Sequence, residues 1–353
     1  DGRLEELLKK FGDVRGREAR AALNFSVYFF LITFTFYIIK PVKESFLIAS
    51  KPGWWAYADL ATALLIGLVV ALNARLLDRV PRRTYLTASL LFFIASLFVF
   101  WYVFDLVRTS QAMTPVADSS GILFFAWAQT VLLDHKAVPV LVFSFWADVF
   151  IAMSVTQFWI AANDVFDPHQ AKRLVGLFVT GGLFGGIAGS AVAGLVTFAR
   201  LAKPEDLLLI APVLLVLALV TVNVVYAGQR RVDSAAGDGR VGASAQVRAR
   251  ESFRAIRRNR YLVLLAAMVA SAIVAGTLIN YQFKTVVKSA ISNDADKTSF
   301  VAGFFLVILI VSAVFHLLAT RRVLSSYGIR WAVIIAPVAL IAGSLAVFII
   351  PAG

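Results

Sequence analysis

The chain of 353 residues is 60% hydrophobic and only 16% charged, with a mean hydropathy of +0.81; a soluble globule of that composition would expose far too much apolar surface, so a bilayer is the natural solvent. The absence of cysteine excludes disulfide frameworks, thiolate nucleophiles and thiolate metal sites, and three histidines make a histidine-rich metal centre a poor reading. The net charge of +13 falls in short loops between apolar runs, which is the pattern of a membrane protein's cytoplasmic face and not of a nucleic-acid surface.

Residues 1–23 place Leu4, Leu7, Leu8 and Phe11 at helical spacing among charges. This describes an amphipathic cytoplasmic leader lying on the membrane, not a cleavable signal. Nine apolar runs follow, near 24–47, 54–74, 84–107, 137–163, 174–199, 207–227, 261–287, 299–319 and 331–350. Each approaches the ~20 residues that cross about 30 Å of hydrocarbon as helix. The run Gly121 to Leu133 is too short to span and reads as an interfacial or re-entrant helix. With the N-terminus inside and alternating spans, 24 of the 34 Lys and Arg residues fall on the cytoplasmic side.

A basic polar linker, 229–260, separates an N-terminal six-helix bundle, 24–228, from the first three helices of a second bundle, 261–353. Its run Arg240 to Arg260 is expected to rest as an amphipathic helix on anionic lipid. The two parts echo each other: Tyr37-Ile-Ile-Lys40-Pro-Val42 matches Tyr281-Gln-Phe-Lys284-Thr-Val286, and the basic loop 75–83 matches 322–330. Parallel repeats of six spans predict an all-α polytopic membrane protein of the major facilitator type, with a substrate held between two bundles. The second bundle is incomplete in this chain, so about three further helices are expected beyond residue 353.

The loop Ala74-Arg-Leu-Leu-Asp78-Arg79-Val-Pro81-Arg82-Arg83 resembles the facilitator signature between the second and third spans, with Pro81 in place of the usual glycine. Asp78, Arg79, Arg82 and Arg83 are therefore candidate gating residues, a charge relay made and broken as the halves rock; plain positive-inside anchoring is the alternative. Charges inside apolar spans are expensive and point to function. Lys40, Lys43 and Glu44 lie in the outer half of the first span, and Lys284 and Lys288 in the equivalent part of the seventh. Either the four lysines converge on one cavity, where phosphates are the fitting substrate, or they snorkel to the outer headgroups with Glu44 neutralising Lys40 at i,i+4. In the first case two cationic faces repel each other unless an anion lies between them, so an empty carrier is expected to change state slowly. Asp59 and Asp148 sit within spans and can pair with the lysines when the site is empty, or act as proton-linked groups.

Three segments carry a family resemblance. Lys40-Pro-Val-Lys43-Glu44-Ser-Phe-Leu resembles an Arg-x-x-Lys-Asp-x-Leu pattern, Phe158-Trp159-Ile-Ala-Ala-Asn163 with Gln170-Ala-Lys172-Arg173-Leu-Val-Gly-Leu-Phe178 resembles a Phe-Trp-x-x-x-Asn and Glu-Ala-Lys-Arg-Phe-x-x-Leu-Phe stretch, and Leu278-Ile-Asn280-Tyr-Gln-Phe-Lys284 through Lys288 resembles a Leu-Ile-Glu-x-x-Trp-Lys pattern. These are motifs of the ATP:ADP antiporter family, the nucleotide transporters of plastids and intracellular bacteria. The resemblance implies exchange of ATP and ADP or a related phosphorylated anion, and substrate-binding roles for Lys40, Lys43, Glu44, Asp148, Asn163, Asn280, Lys284 and Lys288, Lys43 being the family's essential lysine. Asn280 stands where the family has a glutamate, and Asp148 is about one residue out of register with another, which bears on substrate and coupling.

No nucleophile–base pair, metal motif or dinucleotide fingerprint is present, so neither an enzyme nor a cofactor is expected. The expected partners are the nucleotide or other phosphorylated anion and the lipid bilayer, with a soluble regulatory domain after this chain as in some bacterial relatives. A multi-pass protein of a bacterial inner membrane is the expected setting. A carrier of another organic anion, proton-coupled through Asp59 or Asp148, and a nucleotide-sensing membrane domain are the competing readings. Gly181, Gly185 and Gly189 form two Gly-xxx-Gly steps that read as helix packing. Trp54, Trp55, Trp101 and Trp146 read as interfacial anchors before adenine platforms, and Asp167 and His169 as solvated loop residues.

Overall fold

The computed structural model describes residues 19–50, 79–112, 137–236 and 259–317, with single residues or short pieces at 55, 62, 65–69, 72–73, 76 and 338. The leader up to residue 18, the short apolar run 121–133, most of the second and ninth predicted spans and the linker from 237 to 258 lie outside the described residues.

Seven long helices account for the rest: α1 Ala19–Ala49, α2 Arg82–Ala112, α3 Ala137–Val165, α4 Pro168–Phe198, α5 Leu207–Ala236, α6 Arg260–Ala290 and α7 Asp294–Phe315. Six of them, α1 to α5 and α7, are long and apolar enough to cross a membrane, and α6 covers the seventh predicted span with 31 residues. At 1.5 Å per residue, the 31 residues of α1, α2, α4 and α6 reach about 46 Å, more than the roughly 30 Å of hydrocarbon. The chain is an all-α polytopic membrane protein.

α1 is the axis of the fold. It packs most extensively on α4 and also meets α5, α3, α7 and α6. Apolar on every side, it has 61% of its spanning window buried, against 22% for α2 at the periphery. Its contact with α4 is made backbone to backbone. A Cβ on Gly181 would lie 2.7 Å from the Ser26 carbonyl oxygen and one on Gly189 2.5 Å from that of Phe34, while one on Gly185 would overlap the Phe30 carbonyl. The Gly-xxx-Gly steps are thus a groove for α1, as small residues are in membrane helices where apolar burial offers no drive of its own. Pro41 lies inside α1 and brings no amide to the Tyr37 carbonyl one turn earlier.

Aromatic rings fill the space around α1. Phe158 of α3 stacks on Phe29 at 4.3 Å and meets Phe25 and Phe178 edge-on at 5.9 and 5.5 Å. Trp146 stacks on Phe143 and Phe150 at 5.9 and 5.8 Å. The helix ends follow local rules. At the α3–α4 corner Pro168 takes the first turn of α4 and the Asp167 amide donates to Gln170 Oε1 at 3.0 Å. Asn293 caps α7 by accepting from the Ala295 amide at 2.8 Å, with Asp294 and Asp296 in the first turn.

α4 ends in a Schellman turn: the Leu201 amide reaches the Val196 carbonyl at 3.0 Å and the Arg200 amide that of Thr197 at 3.2 Å. The left-handed position is held by Arg200, φ 51°, where glycine carries no steric cost. Arg200→Gly is therefore expected to stabilise the protein by about 1 kcal/mol, read as a higher unfolding temperature in detergent; the exposed Arg200–Asp296 pair at 4.0 Å contributes little against it.

Candidate functional site

The site is built on α1 just after Pro41. Lys43 and Glu44 are 8% and 6% exposed. Lys43 Nζ lies 2.6 Å from Asp148 Oδ1 on α3 and 3.7 Å from Glu44 Oε1. Asp148 Oδ2 accepts from Thr62 Oγ1 at 3.5 Å. From α6 comes Lys284, 1% exposed, with Nζ 3.4 Å from Glu44 Oε2. Removing an ion from water costs several kcal/mol even after relaxation, so charges at this depth persist only with partners. Here two ammonium groups and two carboxylates alternate across α1, α3 and α6.

Three residues of the predicted set lie around this core. The Lys40 ammonium sits 4.0 Å from the centre of the Phe305 ring of α7, with Tyr37 and Phe36 at 5.4 and 5.6 Å, a cation–π arrangement. The alternative pairing of Glu44 with Lys40 at i,i+4 gives way because Glu44 is held between Lys43 and Lys284. Asn280 is half-buried one turn before Lys284. Lys288 Nζ donates to the Ser50 carbonyl at the end of α1 and lies 5.5 Å from the Trp55 ring. Trp55 Nε1 donates to the Leu47 carbonyl at 2.5 Å and its ring meets Tyr281 edge-on at 5.5 Å. Lys288 thus joins the two parts of the chain through the free carbonyls of a helix terminus.

Asn163 is not part of this cluster. It is exposed near the C-terminus of α3, about 22 Å along the helix axis from Asp148 at 1.5 Å per residue. In its motif Phe158 has an evident packing role, fully buried among rings. Of the candidate gating residues, Asp78 lies outside the described residues, as does Asp59, and Arg79 is exposed. Arg82 pairs with Asp164 Oδ1, whose other oxygen accepts from the Tyr226 hydroxyl at 3.4 Å, and Arg83 Nε donates to Asn223 Oδ1 at 3.1 Å. Sequence reading passed over Asp164, Tyr226 and Asn223. An acidic residue at the end of the fourth span, facing an arginine loop at the same membrane level, was the available signal for Asp164. With Arg82 half-exposed, Asp164→Asn is expected to lower stability by less than about 1 kcal/mol, and exchanging the two charges, Arg82→Asp with Asp164→Arg, to restore the unfolding temperature.

Glu44 stands between Lys43 and Lys284, so the chain supplies its own anion. Beside it the Thr298 hydroxyl of α7 donates to Ser45 Oγ at 2.7 Å, fully buried. These contacts draw α6 and α7 onto the last turns of α1.

A bundle of membrane-length helices around a buried, paired cation cluster has the form of a multi-pass membrane transporter. The chain belongs to the TLC ATP/ADP transporter family, whose family model matches residues 2–352, and it is thereby a member of a family of nucleotide transporters. Searches of curated proteins and of solved structures found no match.

Proposed function

We propose that the protein exchanges ATP and ADP across a bacterial inner membrane by alternating access, with Lys43 and Lys284 as phosphate ligands from opposite halves. The observation that carries this reading is that two almost fully buried lysines, one on α1 and one on α6, approach the same carboxylate at 3.7 and 3.4 Å. A polyphosphate taking the place of that carboxylate gains charge-assisted hydrogen bonds from both sides. Lys40, held by aromatic rings, adds a third cation beside them.

The positive-inside asymmetry places Arg82, Arg83, Lys172 and Arg173 in the cytoplasm and the Ser50 end of α1 outside. In that orientation the pairs joining α6 and α7 to α1 lie near the outer surface, at Glu44, Ser45 and Ser50. Nearer the cytoplasm α6 presents exposed apolar side chains, among them Leu264, Ile273 and Leu278. This disposition supports a state closed outside, as one half-cycle of a facilitator-type carrier made of the bundles 24–228 and 261–353. Uptake of labelled ATP, ADP and inorganic phosphate into proteoliposomes preloaded with each counter-substrate tests the reading. Uptake of ATP driven by internal ADP is the expected result; phosphate uptake without nucleotide uptake would refute it.

A further inference from the structure

Glu44 is the one described carboxylate whose oxygens face both halves of the carrier. Oε1 lies 3.7 Å from Lys43 Nζ on α1, and Oε2 lies 3.4 Å from Lys284 Nζ on α6. Asp148 differs: it holds Lys43 from within the first half, α3 to α1, and stays with Lys43 however the halves move. Lys284 has no such companion on its own helix among the described ion pairs, and at 1% exposure it is closed off from water. Two ammonium groups brought together from opposite halves repel strongly where water is excluded. Glu44 between them removes that repulsion, and the Ser45–Thr298 contact shows α1 and α7 fully seated beside it.

We propose that Glu44 is an internal counter-anion that lets the unloaded carrier close its outer side, so that the protein sustains net nucleotide flux as well as exchange. The proposal rests on the nucleotide-transport reading above. A carrier lacking this anion closes only around a bound phosphate and is confined to exchange, because an equilibrium between states moves only by the difference in their interaction energies.

The test compares uptake of labelled ADP into proteoliposomes preloaded with ADP and into nucleotide-free ones. The native protein is expected to show both modes, with net flux within about tenfold of exchange. Glu44→Gln is expected to lower the ratio of net flux to exchange at least tenfold, whatever its exchange rate, and Glu44→Asp to restore it. An unchanged ratio in Glu44→Gln, or pure exchange by the native protein, overturns the proposal. A second measurement does not depend on transport. Since the chain has no cysteine, Ser45→Cys can be labelled from outside with an impermeant maleimide. Without nucleotide it is expected to be protected when Glu44 is present and to react at least tenfold faster with Glu44→Gln, ADP restoring protection. Equal labelling in both overturns the counter-anion role. If the native protein transports no nucleotide in either mode, the nucleotide reading fails, and labelling still decides whether Glu44 closes the outer side.

Discussion

Lys284→Gln is expected to abolish nucleotide exchange while the protein still inserts in the membrane. The side chain is buried and paired with a buried carboxylate; breaking such a pair from one side costs about 3–5 kcal/mol. If Lys284 also binds phosphate, the charge-assisted contact with substrate, about 1.5–3 kcal/mol, is lost in addition, roughly ten- to a hundred-and-fifty-fold in affinity. Two comparisons separate binding from folding. Combining Glu44→Gln with Lys284→Gln leaves a neutral pair, so the unfolding temperature is expected to recover while exchange stays lost. Lys288→Gln removes one hydrogen bond at the end of α1, at a cost of about 1 kcal/mol, and should leave nucleotide affinity within a few-fold of the native value. Radioligand binding and thermal unfolding in detergent read both. Nucleotide affinity retained by Lys284→Gln would remove it from the phosphate site.

The second large effect is expected on assembly. Gly185→Leu places a branched side chain where even a Cβ overlaps the Phe30 backbone carbonyl. A backbone atom on a central helix does not step aside, so α1 and α4 must separate along their length and the folded yield should fall to near zero. Smaller changes grade the argument. At Gly182 the added Cβ meets the Phe29 ring at 2.6 Å, a side chain able to rotate, so Gly182→Ala should cost less than Gly185→Ala; overpacking of this kind is worth about 1–3 kcal/mol. At Gly276 and Gly303 nothing among the described residues lies within 4 Å of an added Cβ, and alanine there should stabilise slightly through helix propensity, by about 0.5–1 kcal/mol. Fluorescence-detected size exclusion across these variants checks the order.

Much of the fold was legible because hydrocarbon imposes a length. The predicted run 24–47 lies within α1, Ala19–Ala49, and 84–107 within α2, Arg82–Ala112. The ends were less legible. α4 begins at Pro168, six residues before the apolar run, and α5 continues to Ala236, nine beyond it, because a helix already nucleated extends into the interface without apolar residues to mark it. The site divides along a similar line. Lys43 and Lys284 announce themselves as ions in apolar surroundings, and Asp148 as an available partner. What hydropathy does not encode is which carboxylate reaches which cation: Glu44 turns away from Lys40, one turn along its own helix, towards Lys284, 240 positions along the chain. Arg82 with Asp164 and Arg83 with Asn223 are likewise tertiary neighbours, and no local period reveals them.

The close approaches of α1 to the α4 glycines fall between Ser26 and Tyr37, and the buried Lys43 and Glu44 sit beyond Pro41. Proline supplies no amide to the turn below it, so the α1 backbone is one strut short between the length that faces the α4 glycines and the last turns, where Leu47 packs on Trp55 and Ile48 on Val287 and Val301. The outer end of the helix is therefore a shared seam: Lys43 holds it to Asp148 of α3, and Glu44, Ser45 and the Ser50 carbonyl hold it to α6 and α7. A few degrees of tilt of α6 and α7 against that seam would carry Lys284, Thr298 and Lys288 away from Glu44, Ser45 and the Ser50 carbonyl together, while Lys43 stays with Asp148.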